Sequence, residues 1–575
     1  MPKKQNETDL EYKQRVLDPL SSSMCGAKWY NATIWLGSGM TTSCHHPLPH
    51  KVSVEDVITN PKALHNTPKK KTEREMMQQG KRPAGCEYCW KIEDVNRNNI
   101  SDRVYKSVIY SDDELKQAHS LSSEQDVNLK TLEIAFDRTC QFACSYCNPA
   151  FSTTWVKDIK NNGAYENLIS DGRNHFTHEH ENSQLYKYTE TNPYIEAFFK
   201  WWETDLYKTL DELRITGGEP MMSGHLWKLL DWFKDNKGAS KTRIAINSNL
   251  GLDSKDILKL LDRADSAPLD IYTSNESLVN HAEYIRDGLD WSTWAQNMHL
   301  LAGSGKIRGL HNMCTINALC LETLPEFLSY LLKFKACYGR DFPSFTLNIL
   351  RFPSFQSPLA LPNHIKGYCH NKLSIWYEVN KNKEFWNEHE RASIERLIDY
   401  LVTVDAPHRR TSDPAKLWHD FKTFYAQYDL RRHRSLDVFP KILPMDTRIP
   451  FLIRYFKQIE ITSPPKLSKT AEYFSFKSAK LGVLRKFLRV YILVTPIFFK
   501  LILFSVLEVI ASIFMPIFIS KNIKNMPTFP VAPVINTGLF LYFKIVFIDP
   551  ILVFIAFLLF FSHKGAPTNA AKGIM

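Results

Sequence analysis

Three cysteines, Cys140, Cys144 and Cys147, fall within eight residues, directly after the apolar stretch Leu132 to Phe136. That stretch reads as a strand, which puts the thiols on the loop leaving its C-terminal end. Three thiolates can hold three irons of a four-iron cluster and leave the fourth iron open to a substrate or cofactor. Four cysteines would instead close an electron-transfer cluster or a structural zinc site. A zinc site here would need a fourth ligand close by, and none follows Cys147 at finger-like spacing. The loop therefore points to chemistry rather than to a staple.

The elements that must position these thiols are legible as alternating short apolar runs and amphipathic stretches between 131 and 365. Candidate strands are Leu132–Phe136, Glu212–Thr216, Thr242–Asn247, Leu269–Thr273, Arg308–Asn317 and Thr346–Leu350. Helical patterns separate them, for example Leu226–Asn236, Lys255–Arg263, Trp291–Leu301 and Leu324–Phe334. Six strand–helix repeats predict an α/β fold: a partial (β/α)6 barrel, closed or three-quarters open, with its chemistry at the C-terminal strand ends. Before it, residues 20–130 show few helical runs, a hairpin (Lys28 to Leu36, Gly37-Ser-Gly39, Met40 to Ser43), a Lys/Arg-rich loop from Lys69 to Arg74, and Cys86-x-x-Cys89. After it, residues 366–462 read as a helical extension rich in aromatics and charge.

From 476 to 575 the character changes. Two apolar runs, Phe487 to Ser520 and Leu539 to Ser562, each exceed the roughly 20 residues that cross a bilayer core. The two runs are expected to form a membrane-associated helical hairpin, either spanning or, given the charged and proline interruptions, re-entrant or interfacial; a buried helical pair in a soluble domain is the alternative. Basic flanks favour both ends of a hairpin on the cytoplasmic side. The net charge of +11 belongs mostly to this tail, where eleven Lys and Arg face only Glu508 and Asp549, a net of +9. About +2 remains for the first 474 residues, so nucleic acid is not an expected partner. Seven of the eleven cysteines lie before residue 150, a clustering that suits metal binding in a reducing compartment. Met1 to Asp18 is charged and lacks an apolar core, so a cytoplasmic catalytic body is expected.

Two motifs together carry a family resemblance. Cys140-x-x-x-Cys144-x-Tyr146-Cys147 resembles the radical S-adenosylmethionine pattern, aromatic residue included. Arg214-Ile-Thr-Gly217-Gly218-Glu219-Pro220 ends the next strand, where that family keeps its Gly-Gly-Glu-Pro. The resemblance implies a [4Fe–4S] cluster on the three cysteines, with its open iron chelating the amino and carboxylate groups of S-adenosylmethionine. It further implies that Gly217 and Gly218 let backbone approach that amino-acid end, that Glu219 orients the loop, and that Tyr146 packs near the adenine. Ser274 and Asn317, at later strand ends, fall where similar enzymes contact ribose or carboxylate, and Arg286 is placed to neutralise the carboxylate. A strand-end Ser or Asn also commonly caps the next helix.

The earlier cysteines sharpen the resemblance. Cys25, thirteen residues, Gly39, four residues and Cys44 resemble the opening of a SPASM or twitch domain, in which a glycine turns a hairpin and two distant cysteines converge. With Cys86 and Cys89 they make four ligands, enough for an auxiliary [4Fe–4S] cluster; a zinc ribbon from the same four is the alternative. The module precedes the barrel, as in radical S-adenosylmethionine proteins with an N-terminal twitch, and the resemblance runs from about residue 20 to 440. Glu93, Ser101-Asp-Arg103 and Phe424 to Pro440 are further matching pieces.

The implied activity is reductive cleavage of S-adenosylmethionine to a 5′-deoxyadenosyl radical that abstracts hydrogen from a peptide or small molecule. That makes the chain an oxidoreductase- or maturase-type enzyme, fed by a one-electron donor such as flavodoxin or ferredoxin. The contrasting class is a non-catalytic, membrane-tethered iron–sulfur or zinc scaffold or electron carrier. Other features carry less: His175, His178 and His180 read as a solvated inserted loop, His45 and His46 as solvated neighbours of Cys44, and Lys69–Lys71 as an exposed mobile loop. Cys314, Cys320, Cys337 and Cys369 are isolated, with Cys314 pointing away from the barrel interior and Cys369 in a loop after the barrel.

Overall fold

Apolar and polar residues alternate along several of the strands, and this decides how the sheet is covered. The computed structural model describes residues 3–170, 176, 186, 190–403 and 413–442, all within one compact unit, Met1–Ile461. In chain order the strands are β1 (Asn31–Trp35), β2 (Met40–Thr42), β3 (His50–Lys51), β4 (Thr131–Ala135), β5 (Ala143–Cys144), β6 (Glu212–Thr216), β7 (Arg243–Ser248), β8 (Leu269–Thr273), β9 (Arg286–Asp287), β10 (Gly309–Ile316) and β11 (Ser344–Ile349). Nine of them form one sheet, ordered β11-β10-β8-β7-β6-β4-β1-β2-β3, and β5 and β9 form a separate two-stranded ribbon. The fold is mixed α/β with a large parallel sheet. Each of the six strands read from the sequence is present, its ends within two residues of those expected. The sheet stays open, with β11 and β3 as its edges.

Leu132, Ile134, Leu213, Ile215, Ile244, Ile246, Ile271, Leu310, Cys314, Ile316 and Leu347 are buried in one core with the intervening helices Gly224–Asp235, Ser254–Leu261, Trp291–Gly303 and Leu324–Tyr338. Cys314 thus lies in the apolar core. The positions between them are Thr33, Glu133, Arg214 and Asp270, which register aligns across β1, β4, β6, β7 and β8 through Ala245. Strands buried on both faces read as continuous apolar runs. Here one face is polar, as expected of a face that lines a cavity. At its foot Arg243 pairs with Glu212 and Asp270, and Arg308 also pairs with Asp270.

The N-terminal hairpin is part of the same sheet: β1 runs parallel to β4 from Asn31↔Thr131 to Trp35↔Ala135 and antiparallel to β2. Residues 20–130 are also more helical than the sequence reading expected, with helices Val54–Thr59, Pro68–Gln78, Glu87–Val95 and Asp112–Ser120. The Lys69–Arg74 segment is not an exposed loop. Thr67 caps the helix Pro68–Gln78, Pro68 occupies its first turn, and Lys70 and Arg74 are buried. Lys70 donates to the Thr41 hydroxyl and the Thr42 carbonyl; Arg74 donates to the Lys28 carbonyl and to Asn66. Long donor side chains appear here because the hairpin presents carbonyls and hydroxyls that need donors.

The extension is helical, with helices Asn363–Asn380, Glu388–Thr403 and Pro414–Arg432. Cys369 lies buried within the first of these rather than in a loop. His175, His178, His180 and both apolar runs of the tail lie outside the described residues. Among the described residues no helix is long and apolar enough to cross a membrane.

Glu390 fastens the extension to β11. Its carboxylate accepts from Lys335 Nζ at 2.7 Å and from the Phe345 amide at 3.0 Å, and both side chains of the Lys335–Glu390 pair are fully buried. Removing one partner of such a pair strands a buried charge at a cost of about 3–5 kcal/mol. Glu390→Ala is therefore expected to destabilise the protein by that order in urea unfolding, and Lys335→Met/Glu390→Leu together by much less.

Candidate functional site

Side chains from within and around it hold the backbone of the loop after β4. Asp137 accepts from the Thr139 amide at 2.7 Å and from the Ser223 hydroxyl at 2.9 Å. Thr153 and Thr154 donate their hydroxyls to the Cys140 carbonyl, and Trp155 donates its indole N–H to the Cys144 carbonyl at 3.0 Å. The ribbon β5–β9 sets Cys144 directly opposite Arg286. From the far end of the chain, Tyr425 reaches the Ser145 hydroxyl at 3.2 Å and Gln356 donates to the Ser145 carbonyl at 2.9 Å. All three thiols are half-buried and free. Burial, then the neighbouring Cys144 thiol, pushes Cys140 up to about 12. Burial pushes Cys144 up to about 11 against the pull of Arg286, and Cys147 is raised as well.

The Gly-Gly-Glu-Pro turn after β6 locks onto this loop. The Gly218 amide donates to the Asp137 carbonyl at 3.3 Å and the Glu219 amide to the Thr139 carbonyl at 2.7 Å. A Cβ on Gly218 would stand 2.2 Å from the Thr139 oxygen, and one on Gly217, at φ +121°, 2.6 Å from the Asp137 oxygen. The glycines are thus required by contact with the cysteine loop itself. Glu219 is buried and accepts from the amides of Met221 at 3.0 Å and Asn249 at 2.6 Å, tying the turn to the end of β7. Asn249 in turn stands 3.9 Å from the Cys140 sulfur.

A residue absent from the sequence reading organises the opposite side. Glu276, buried after β8, accepts from Tyr146 Oη at 3.2 Å, from Asn317 Nδ2 at 3.4 Å and from Arg286 Nη2 at 2.6 Å. Arg286 thus has a carboxylate partner inside the protein, and its Nη1 lies 4.0 Å from the Cys144 sulfur. Its guanidinium also stands 5.5 Å from the centre of the Tyr146 ring. Asn317 uses its oxygen to cap Leu319 and Cys320, while Ser274 is half-buried just beyond β8. Glu276 carries no motif signal. Its position two residues after Ser274 at a strand end was the only hint in the sequence.

The four N-terminal cysteines converge. Cys25, Cys44, Cys86 and Cys89 line one cavity, with about 410 Å³ of empty space including its mouth, together with Lys28 and Trp90. Burial raises Cys25 to about 12 and Cys86 to about 11, and Cys89 is raised too. Glu93 receives the Ser101 hydroxyl and two bonds from Arg103, bracing the segment against which Cys89 packs. Buried Lys28 pairs with Glu73 beside Cys86. His46 is not solvated: its Nε2 bonds Asp102 Oδ2 at 2.7 Å and its ring stacks on Tyr88 at 3.9 Å.

The donor sets match in number and softness the groups that the resemblance implies, three thiols on one loop and four around one cavity, and four thiols are equally a zinc donor set.

No protein-family model and no curated protein matches the chain. Among solved structures, native anSMEcpe with bound AdoMet and Cp18Cys peptide is similar over 44% of this chain and 62% of its own, at 15% identity and TM-score 0.28. Streptococcus suis SuiB bound to S-adenosylmethionine covers 60% and 69%, at 11% and 0.29, and SuiB bound to precursor peptide SuiA covers 66% and 74%, at 11% and 0.28. The match thus spans less than two thirds of the anSMEcpe chain.

Burial raises Glu219 from the ordinary 4.5 to about 7, against the pull of its amide donors. Folding therefore favours its protonated form. That stabilisation is fully present below pH 4.5 and is lost as pH rises through 7. Glu219→Gln, neutral throughout, should flatten this slope. Wild type is expected to lose about 3 kcal/mol relative to the variant between about pH 4.5 and 8, read by chemical denaturation.

Proposed function

We propose that the chain is a radical S-adenosylmethionine enzyme carrying a second, auxiliary [4Fe–4S] cluster and acting on a peptide or small molecule. One observation carries the reading: a three-cysteine loop and a Gly-Gly-Glu-Pro turn, at the ends of adjacent parallel strands, bonded backbone to backbone. An electron carrier has no use for that second loop.

Cys140, Cys144 and Cys147 would hold the first cluster, and Cys25, Cys44, Cys86 and Cys89 the second. When bound, the first cluster and S-adenosylmethionine supply a 5′-deoxyadenosyl radical for hydrogen abstraction, given an electron from a donor such as flavodoxin or ferredoxin. The protein's own part is placement. The Gly217–Glu219 turn fixes the cysteine loop, while Glu276 orients Tyr146, Asn317 and Arg286 around it. Arg286 puts a buried positive charge next to Cys144, offsetting thiolate charge. Ser274 leaves a hydroxyl near the strand ends for a polar ligand. The polar sheet face offers Glu133 and Arg214 to a substrate carrying charge or amides. The apolar tail plays no part in this reading.

Anaerobic reconstitution of the full chain should give about eight irons per chain and dithionite-driven formation of 5′-deoxyadenosine. Alanine at Cys140, Cys144 and Cys147 should abolish cleavage and leave about four irons; alanine at Cys86 and Cys89 should leave about four irons and some uncoupled cleavage. No iron and no cleavage in the wild type would sink the proposal. Gly218→Ala, which drives a methyl into the Thr139 carbonyl, is expected to lower iron retention at the first site and spare the second, as read by iron count and electron paramagnetic resonance.

A further inference from the structure

We propose that His45, His46 and Asp102 bind one divalent transition-metal ion of the zinc or iron(II) class, separate from the cysteines, with open coordination positions for an oxygen-donor ligand. Among the described residues these three form the one group of His, Cys, Asp or Glu side chains whose ligand atoms all lie within 4.8 Å of one another. Both imidazole Nε2 atoms converge on a single oxygen, Asp102 Oδ2, at 2.7 Å from His46 and 3.4 Å from His45. Donors each about 2.1 Å from one ion stand about 3 to 3.5 Å apart, so only small adjustments are needed to admit it. A simple hydrogen-bonded pair would need only one of the two rings.

The donors sit on braced segments. His45 and His46 follow Cys44, whose carbonyl accepts from the Thr42 hydroxyl at 2.8 Å. The His46 ring is held flat against Tyr88, inside the Cys86–Cys89 segment. Asp102 lies between Ser101 and Arg103, both bonded to buried Glu93. Three protein ligands of the two-imidazole, one-carboxylate type leave positions open, as in reactive rather than structural sites.

Two cavities meet at the group. His46 and Asp102 line the cavity of the four cysteines; His45 lines an adjoining polar cavity against Thr33, Glu133 and Arg214. Lys106 and Cys44 line both. An ion here would face the polar cavity, where Lys106 and Arg214 stand with Glu133 and Glu212, and Arg214 is paired with Glu212.

The test is cobalt titration of the anaerobically reconstituted full-length protein after chelator treatment and desalting. One equivalent of Co²⁺ is expected, with ligand-field bands, no thiolate-to-cobalt charge transfer, and displacement by Zn²⁺. His46→Ala and Asp102→Asn should each weaken cobalt binding by about 100-fold or more while iron and sulfide counts stay at the wild-type level. No cobalt bound by wild type, a charge-transfer band marking cysteine ligation, or undiminished binding by the His45→Ala/His46→Ala variant would overturn the proposal. So would iron falling together with cobalt, since the histidines would then belong to the cluster. Absent iron with cobalt still bound would reject the two-cluster reading and leave this one standing.

Discussion

The contact between the Gly217-Gly218-Glu219 turn and the backbone of Asp137 to Thr139 is the constraint on which the rest of the site depends. Two strand-end loops approach so closely that neither glycine position has room for a methyl group. Such contact demands that β4 and β6 be adjacent, parallel and in register, which Thr131↔Glu212 through Ala135↔Thr216 supplies. Register in turn rests on burying Leu132 and Ile134 beside Leu213 and Ile215; a one-residue slip would turn these side chains to the polar face. Glu219 extends the lock to β7 through the Asn249 amide, so three consecutive strands share one fixed rim.

The N-terminal region answers to the same sheet. Because β1 pairs with β4, the four-cysteine cavity is attached to the strand that delivers Cys140, and the two cysteine sets are held by one hydrogen-bonded framework. The buried Lys70 and Arg74 tie the helix Pro68–Gln78 to the hairpin and to Lys28, and Glu73 of that helix is the counterion of Lys28 beside Cys86. What looks in sequence like a run of surface charge is the internal wiring of this region.

Much of this was legible and some was not, for physical reasons. The six parallel strands and both loop motifs could be read because apolar periodicity and glycine spacing are local signals. The pairing of β1 with β4 could not, since a hairpin's outer edge carries no mark of which distant strand covers it. Lys69 to Arg74 misled because burial of a cation depends on carbonyls contributed by Lys28 and Thr42 far along the chain. Cys369 was read as lying in a loop, although its neighbours continue a helix from Asn363 to Asn380. Glu276 went unnoticed because its three partners, Tyr146, Arg286 and Asn317, come from separate segments, and only folding assembles them.

The two cysteine sets share an electrostatic design. Burial pushes up Cys25, Cys86 and Cys89 in one set and Cys140, Cys144 and Cys147 in the other, so a cluster bound at either set would have to displace protons from these thiols. Thiolates left in such places need compensating charge. Each set has a buried cation beside it, Arg286 at Cys144 and Lys28 at Cys86, and each of these is kept in place by a buried carboxylate, Glu276 or Glu73. A bare cation would cost too much to bury, and a tightly neutralised one would do little for the sulfurs. A pair with its positive end toward the thiols meets both demands, because the field of the nearer charge dominates at short range in a poorly polarisable interior. The carboxylate at each site therefore serves the cysteines indirectly, by permitting the cation to remain where solvent cannot screen it.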